Sequence, residues 1–334
     1  MSTYVMNCKI VFPQRHERKE IVLNFIESVR VESSWKLLTD TATITLPRKV
    51  IHSFFNRKNV REIFRRGDKV SIHLGYYDAQ DEENKGLIKE FEGYITEVSA
   101  DIPIKLKCED EMWKLKAIPV NYSNRNVTLD KLLKDLLPGY DINANEGEQL
   151  GSVRFSETTV SQVLEKLQQE KSIYSYFKNG KLVSGKIYAD DTAVPSHKFK
   201  LERNAVSNNL QYRRGDDVKV LIIARAIIKG QKIEFKIGEE GGDVYKLNYT
   251  GHEVIALDDL KRKAQTDYDT KKVDGFDGSF TAFGIPSVHH GERVDLESRL
   301  YTDRNGVYYI EGVNKTFSKE GYRQEIKLGG RVTV

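Results

Sequence analysis

The residues best suited to chemistry in this sequence are His289 and His290, beside Glu292, with His252-Glu253 further upstream. Imidazole next to carboxylate is the raw material of a metal centre or an acid–base pair, because histidine titrates near neutrality and binds metals through either ring nitrogen. The spacing does not carry this through. No third ligand stands at a metal-binding interval, and no His-x-x-x-His pair would share a helix face. A polar turn leading into a strand is expected instead. The run Gly238 to Gly242 lacks the Lys-Ser/Thr ending of a phosphate loop, and its two carboxylates would repel phosphate, so it too reads as a turn. The acidic run Asp78, Asp81, Glu82, Glu83 has no closing glutamate at calcium-loop spacing and reads as a solvated hairpin tip. Arg65-Arg66-Gly67-Asp68 and Arg213-Arg214-Gly215-Asp216 contain an adhesion-type tripeptide, yet each runs into a strand that begins at valine, and both are expected to be turns.

Nucleophilic chemistry finds no better footing. There is no Gly-x-Ser-x-Gly elbow, and Cys8 and Cys108 are isolated thiols on apolar strands, without activating neighbours or metal spacing. Carboxylate pairs for glycoside cleavage need only proximity in space, but with 49 acidic residues chance pairs abound. No catalytic, cofactor-binding or metal-binding residue is assigned, no cofactor is implied, and the chain is not expected to be an enzyme. The 53 basic residues nearly balance the acidic ones, for a net +4, which gives no strong pull on phosphate backbones. No signal peptide opens the chain, and its most apolar run, Val218 to Ile228, is short and contains Arg225, so no membrane insertion is expected.

The elements that would position these groups are mostly strands. Ala42, Ile44 and Leu46 alternate with threonines, Val70, Ile72, Leu74 and Tyr76 share a face, and so do Ile102, Ile104, Leu106 and Cys108. A short helical candidate lies around Val50 to Phe55. From Asn121 the period lengthens: Leu129, Leu132, Leu133, Leu136 and Leu137 form a helical stripe behind Thr128 as N-cap, stopped by Pro138-Gly139. Thr159 and Gln162 have capping-box spacing before Val160, Val163, Leu164 and Leu167. Strands Ser172 to Lys178 and Leu182 to Ile187 flank Asn179-Gly180, a strong hairpin turn. Strands return after Pro195, through Val218 to Ile228 and Lys232 to Ile237, with one helix carrying Leu257, Leu260, Ala264 and Tyr268. Gly275 to Pro286 reads as a Gly- and Phe-rich loop, and Asp303-Arg304-Asn305-Gly306 as a hairpin turn. The fold expected is mainly β with an α+β insertion: a first β-barrel over residues 1–120, the insertion over 121–198, and a second barrel with one helix over 199–334.

One pattern occurs twice. Gly67-Asp68-Lys69-Val70-Ser71-Ile72, Phe91-Glu92-Gly93-Tyr94-Ile95 and Ile104-Lys105-Leu106 match, in order, Gly291-Glu292-Arg293-Val294-Asp295-Leu296, Ile310-Glu311-Gly312-Val313 and Ile326-Lys327-Leu328. Two β modules of one kind point to a ring with twice as many modules as chains, a structural rather than a chemical role.

The middle and end also resemble a known family. Val153-Arg154-Phe155-Ser156-Glu157-Thr158, Val163-Leu164-Glu165-Lys166-Leu167, Tyr174 to Phe177 and Asn179-Gly180-Lys181-Leu182 resemble a segment of bacteriophage tail baseplate hub proteins. Phe283-Gly284-Ile285-Pro286, His290-Gly291-Glu292-Arg293-Val294 and Gly306-Val307-Tyr308-Tyr309-Ile310 are similar to the family's closing segment. The family includes the late control protein D group and the hub portion of type VI secretion spike proteins. Where its helix often reads Phe-Leu-x-Arg-Leu, this chain has Val163 to Leu167, the mark of a divergent member. The resemblance implies two tail-tube-like barrels per chain and a homotrimer that adapts a six-fold tail tube protein to a three-fold central spike protein. It further implies a tape-measure protein as a partner and DNA only as a transiting cargo. The implied location is the virion tail baseplate, after assembly in the bacterial cytoplasm. The rival reading is a monomeric β-barrel module that binds carbohydrate or single-stranded nucleic acid on some of its 17 Tyr and 14 Phe.

Overall fold

Alternating strands organise the chain from its first described residues. A computed structural model describes residues 5–332 apart from 16–17, 48–62, 79, 82, 100–101, 146–147, 186–193, 214, 218, 229, 250–253, 255, 273–274 and 303–304. The first third gives β1 (Met6–Phe12), β2 (Ile21–Leu23), β3 (Ser28–Ser34), β4 (Thr41–Thr45), β5 (Lys69–Tyr76), β6 (Leu87–Val98) and β7 (Lys105–Glu109). Their inward residues, among them Ile10, Phe12, Ile44, Ile72, Leu74 and Leu106, share one core. Ala42, Ile44 and Leu46 are buried, as their alternation predicts. Ile102 departs from its predicted face: it sits in the turn after β6 and is 71% exposed. The helical candidate Val50 to Phe55 lies outside the described residues.

The insertion has its own core. Ahead of the expected boundary at residue 121, α1 (Met112–Leu115) and the start of β8 (Pro119–Thr128) already join that core, followed by α2 (Leu129–Leu136), β9 (Ile142–Ala144), β10 (Gln149–Thr159), α3 (Val160–Lys171), β11 (Tyr174–Lys178) and β12 (Lys181–Gly185). Leu129, Leu132 and Leu133 of α2 meet Val160, Val163 and Leu164 of α3 in that core. Both helices start where expected: Thr128 accepts from the Lys131 amide, and Thr159 and Gln162 form a reciprocal capping box. Asn179 (φ 52°) and Gly180 (φ 81°) make the two-residue turn between β11 and β12, both in the left-handed region such turns need.

The last third supplies β13 (Ser196–Lys200), α4 (Leu201–Asn204), β14 (Ala205–Arg213), β15 (Val220–Ile228), β16 (Gln231–Gly238), β17 (Asp243–Tyr249), α5 (Leu257–Lys271), β18 (Gly275–Phe283), β19 (Arg293–Glu297), β20 (Gly306–Ser318) and β21 (Gly321–Arg331). Strands β16, β15 and β17 form a separate sheet, covered by Leu260 and Ala264 of α5, while Leu257 is largely exposed. The remaining strands surround a further core that includes Phe199, Phe280, Val294, Leu296, Ile310 and Ile326. The segment expected to be a loop, Gly275 to Pro286, is a strand as far as Phe283, paired with both β14 and β21. Its glycines serve close approach rather than a turn. Gly278 has φ +109°, and a Cβ there would lie 2.4 Å from the Asn209 carbonyl oxygen.

Both modules lie in one 13-stranded sheet. The first has the order β3-β4-β7-β6-β5-β1, the second β14-β18-β21-β20-β19-β13, and β20 pairs with β3 to fuse them. The sequence repeat is therefore a structural repeat over five antiparallel strands, whereas the sixth differs, β1 joining β5 antiparallel and β13 joining β19 parallel, and the register differs from the residue match. In the first copy the Gly67 amide donates to the Ile95 carbonyl (2.7 Å) and the Ile95 amide to the Asp68 carbonyl (2.9 Å); in the second, Gly291 and Ile310 (2.9 Å) and Ile310 and Glu292 (2.8 Å) do the same. Each copy then has a one-residue bulge, between Ile95 and Glu97 and between Ile310 and Gly312. Ile310 thus corresponds to Ile95 and not to Phe91, and Ile326 to Leu106 and not to Ile104. Slips of four and two residues keep every side chain on its face, so alternation alone does not reveal them.

Candidate functional site at the module junction

The turn before each copy is built alike. Gly67 (φ +89°) and Gly291 (φ +80°) take a conformation that side chains resist. The acidic residue that follows folds back on the turn: Asp68 accepts from the Arg65 amide (3.0 Å) and Glu292 from the His289 amide (2.9 Å). Asp68 also meets Arg15 and is 2% exposed, so the acid of the first Arg-Gly-Asp is tied into the fold while Arg66 and Gly67 are exposed. The second leaves β14 into a short 3-10 turn at Gly215–Asp217. His289 and His290 occupy the polar turn that the sequence predicts, whereas His252 and Glu253 lie outside the described residues. Among the described residues no three His, Cys, Asp or Glu side chains converge as metal ligands would.

The turn brings His289 onto a buried polar network that the sequence reading missed. Glu90 of β6 and Lys315 of β20 form an ion pair with both side chains out of solvent. The Tyr322 hydroxyl (2.8 Å) and the Ser287 hydroxyl (2.7 Å) donate to Glu90, Lys315 donates to Ser287 (2.7 Å), and His289 Nε2 lies 3.4 Å from the carboxylate. Burial alone would push the Glu90 carboxyl up, but the Lys315 ammonium and His289 overcome it and hold the group at about 2. A general acid or base must titrate near its working pH, so Glu90 acts as a fixed charge. Gln324, fully buried, donates to the Phe283 (2.9 Å) and Pro286 (2.6 Å) carbonyls and pins the chain that carries Ser287. One signal for this network was legible: Lys315 stands between Val313 and Phe317 at inward positions of an alternating strand. A charge there demands a buried partner.

The fusion is also apolar. Phe317 and Tyr322, at the tip of the β20–β21 hairpin, belong to the core of the first module rather than to their own. With the β20·β3 ladder, these contacts make the two modules one rigid unit.

Beside the network a cleft of about 760 Å³ opens between the first module, the insertion and the second module. Its walls carry Tyr140, Tyr176 and Phe177, but also Asp40, Glu90, Glu92, Asp110, Glu111 and Glu292. His290 is buried, edge-on against Tyr176 and 3.6 Å from Asp40. Burial and the Asp40 charge push the Asp110 carboxyl well above the usual range, while its oxygen accepts from the Met112 amide at the start of α1 (3.1 Å). Lys69, Lys89 and Lys178 line it as well, and Lys69 and Lys89 pair with Glu92, so the cleft is of mixed charge. The cysteines are buried; burial lifts the Cys8 thiol to about 11 and the Cys108 thiol to about 12, so neither is a nucleophile near neutral pH. The acidic run caps the β5–β6 hairpin, where Asp81 accepts from the Asn84 and Gly86 amides.

This fold, two fused copies of one strand module around an α+β insertion, is shared with solved structures of phage tail proteins and of a type VI secretion component. The solved structures make the likeness particular. A tail protein from Neisseria meningitidis superposes with a TM-score of 0.61 at 14% identity, over 98% of this chain and 97% of that one. The 43 kDa tail protein of prophage MuSo2 from Shewanella oneidensis gives 0.60 at 13% identity, over 99% and 98%. The Escherichia coli c3393 protein, a type VI secretion component with structural similarity to T4 tail proteins gp27 and gp5, gives 0.54 at 10% identity, over 91% and 73%. No protein-family model matches the sequence, and no curated protein does.

Proposed function

We propose that this chain is a structural hub of a contractile phage tail or a related contractile injection system, with no catalytic role. Residues 1–120 and 199–334 would act as two tail-tube-like units and 121–198 as the α+β insertion between them. Three chains would form a ring of six similar modules, which matches a six-fold tail tube on one side and a three-fold spike on the other and lines the conduit that DNA crosses. The observation that carries this reading is the repeated module itself, with the same turn, ladder and bulge in both copies, fused rigidly within one chain. A module repeated in ring contacts gives twice the rotational order of the chain. The tail and type VI structures that share the fold support a place in the virion baseplate. Light scattering on a sizing column tests the proposal: a species of three chains is expected, and a strict monomer across the micromolar range would count against it.

A further inference from the structure

The charges of the junction cleft do not all cancel within the chain. Lys69 and Lys89 are taken by Glu92, and Glu90 by Lys315. Glu111 pairs with Lys114 (2.7 Å) and accepts from the Tyr94 hydroxyl (2.7 Å), while Glu292 meets His197 (2.9 Å) and His289. Lys178 is exposed at the β11–β12 turn. Asp40 and Asp110 are left over. Among the described residues no lysine or arginine pairs with either, and the two adjoin, since the Asp110 amide donates to the Asp40 carbonyl (3.1 Å). Asp110 is 6% exposed, and burial with the Asp40 charge pushes its carboxyl up, as befits an acid that lacks a counter-ion.

His290 marks the same place independently. It is 7% exposed, its Nδ1 has no hydrogen-bond partner among the described residues, and its Nε2 lies 3.6 Å from the Asp40 carboxylate, beyond hydrogen-bonding distance. An imidazole buried without a hydrogen bond costs stability that a polar ligand restores. Its ring stands edge-on to Tyr176, with 4.7 Å between centroids, and both residues line the cleft with Asp40 and Asp110.

We propose that this part of the cleft binds a guanidinium group, carried by an arginine side chain of a partner protein. The planar N–H fork supplies donors to both carboxyl groups and to the His290 imidazole, and its flat face stacks on Tyr176. An ammonium has fewer donors, no flat face and a tighter hydration shell, so lysine fits less well. Among the described residues no three side chains converge as metal ligands, which sets a metal ion aside as the occupant. At about 760 Å³ the cleft falls within the roughly 300–1,000 Å³ of ligand pockets and exceeds what one side chain fills, so residues beside the arginine enter with it. The site lies within one chain and does not depend on the ring.

The peptide acetyl-Gly-Arg-Gly-amide, titrated into the full chain and followed by proton–nitrogen correlation spectra, tests the site. It is expected to shift the Asn179, Gly180 and His290 amides with a Kd of about 1 mM or tighter, the strength of two charge-assisted hydrogen bonds and a stacked cation. The same peptide with citrulline, uncharged but of the same shape, should bind at least about tenfold more weakly, and so should the arginine peptide on Asp40→Asn, because each loses a charge-assisted hydrogen bond. A lysine peptide should bind more weakly too, as should free arginine, which lacks the flanking peptide groups. The citrulline arm alters no residue of the protein, so it holds even where a variant misfolds. No shifts, shifts confined to residues outside the cleft, or citrulline bound as tightly as arginine overturns the site. Lysine bound as tightly overturns the guanidinium assignment, and free arginine bound as tightly overturns the protein partner. None of these results bears on the ring, which light scattering tests separately.

Discussion

Replacing Lys315 with methionine isolates the buried charge that holds the modules together. The side chain is 3% exposed and its partner Glu90 is fully out of solvent, so Lys315→Met leaves a carboxylate stranded in the interior. Breaking such a pair costs about 3–5 kcal/mol. The Tyr322 and Ser287 hydroxyls still donate to Glu90, which places the expected loss near the lower end, about 3 kcal/mol. At roughly 2–4 °C per kcal/mol for a unit of this size, the transition of the fused modules should fall by about 6–12 °C in scanning calorimetry. Combining Lys315→Met with Glu90→Met removes both charges and should recover at least about 2 kcal/mol, because the penalty of the single variant is mostly desolvation. A single variant within about 0.5 kcal/mol of wild type, or a strictly additive cycle, would refute the claim that this pair staples the modules.

Three further outcomes follow from the same geometry. The Glu90 carboxyl, held at about 2 against an ordinary 4.5, contributes stability that is fully present above pH 4.5 and is lost as pH falls toward 2. That difference is worth about 3 kcal/mol, so acid unfolding between pH 4.5 and 2 should be shallower in Glu90→Gln than in wild type. Gly278→Ala should destabilise by about 2 kcal/mol or more, because the new Cβ meets the Asn209 carbonyl at a left-handed φ; a loop glycine would change by only a few tenths, and a melting curve separates the two. Phe317→Ala should cost about 3–5 kcal/mol and should destabilise the first module, whose core it fills, as read by hydrogen exchange at Ile44 and Ile72 amides.

Local signals were the legible part of this fold. Thr128, the Thr159–Gln162 box and Asn179-Gly180 each act within four residues, where capping and turn geometry are fixed by the residues themselves, and each lies where its sequence places it. The turn at His289 and His290 was legible for the same reason. Two non-local features were not. Gly275 to Phe283 looks like a loop because glycine marks turns more often than close strand approach, and only β14 and β21 on either side show which applies. The repeat was visible as a pattern, but alternation is blind to slips of even length, so its register had to come from the ladders. Glu90 and Lys315 are 225 positions apart, and nothing near either residue names the other.

The proposed hub sets six quasi-equivalent modules, two from each of three chains, around one channel. Single-particle electron microscopy of the purified chain, averaged without imposed symmetry, tests it most directly. Rings with three-fold order and six similar lobes are expected; a compact single-chain particle, or a closed dimer without a channel, would contradict the hub reading.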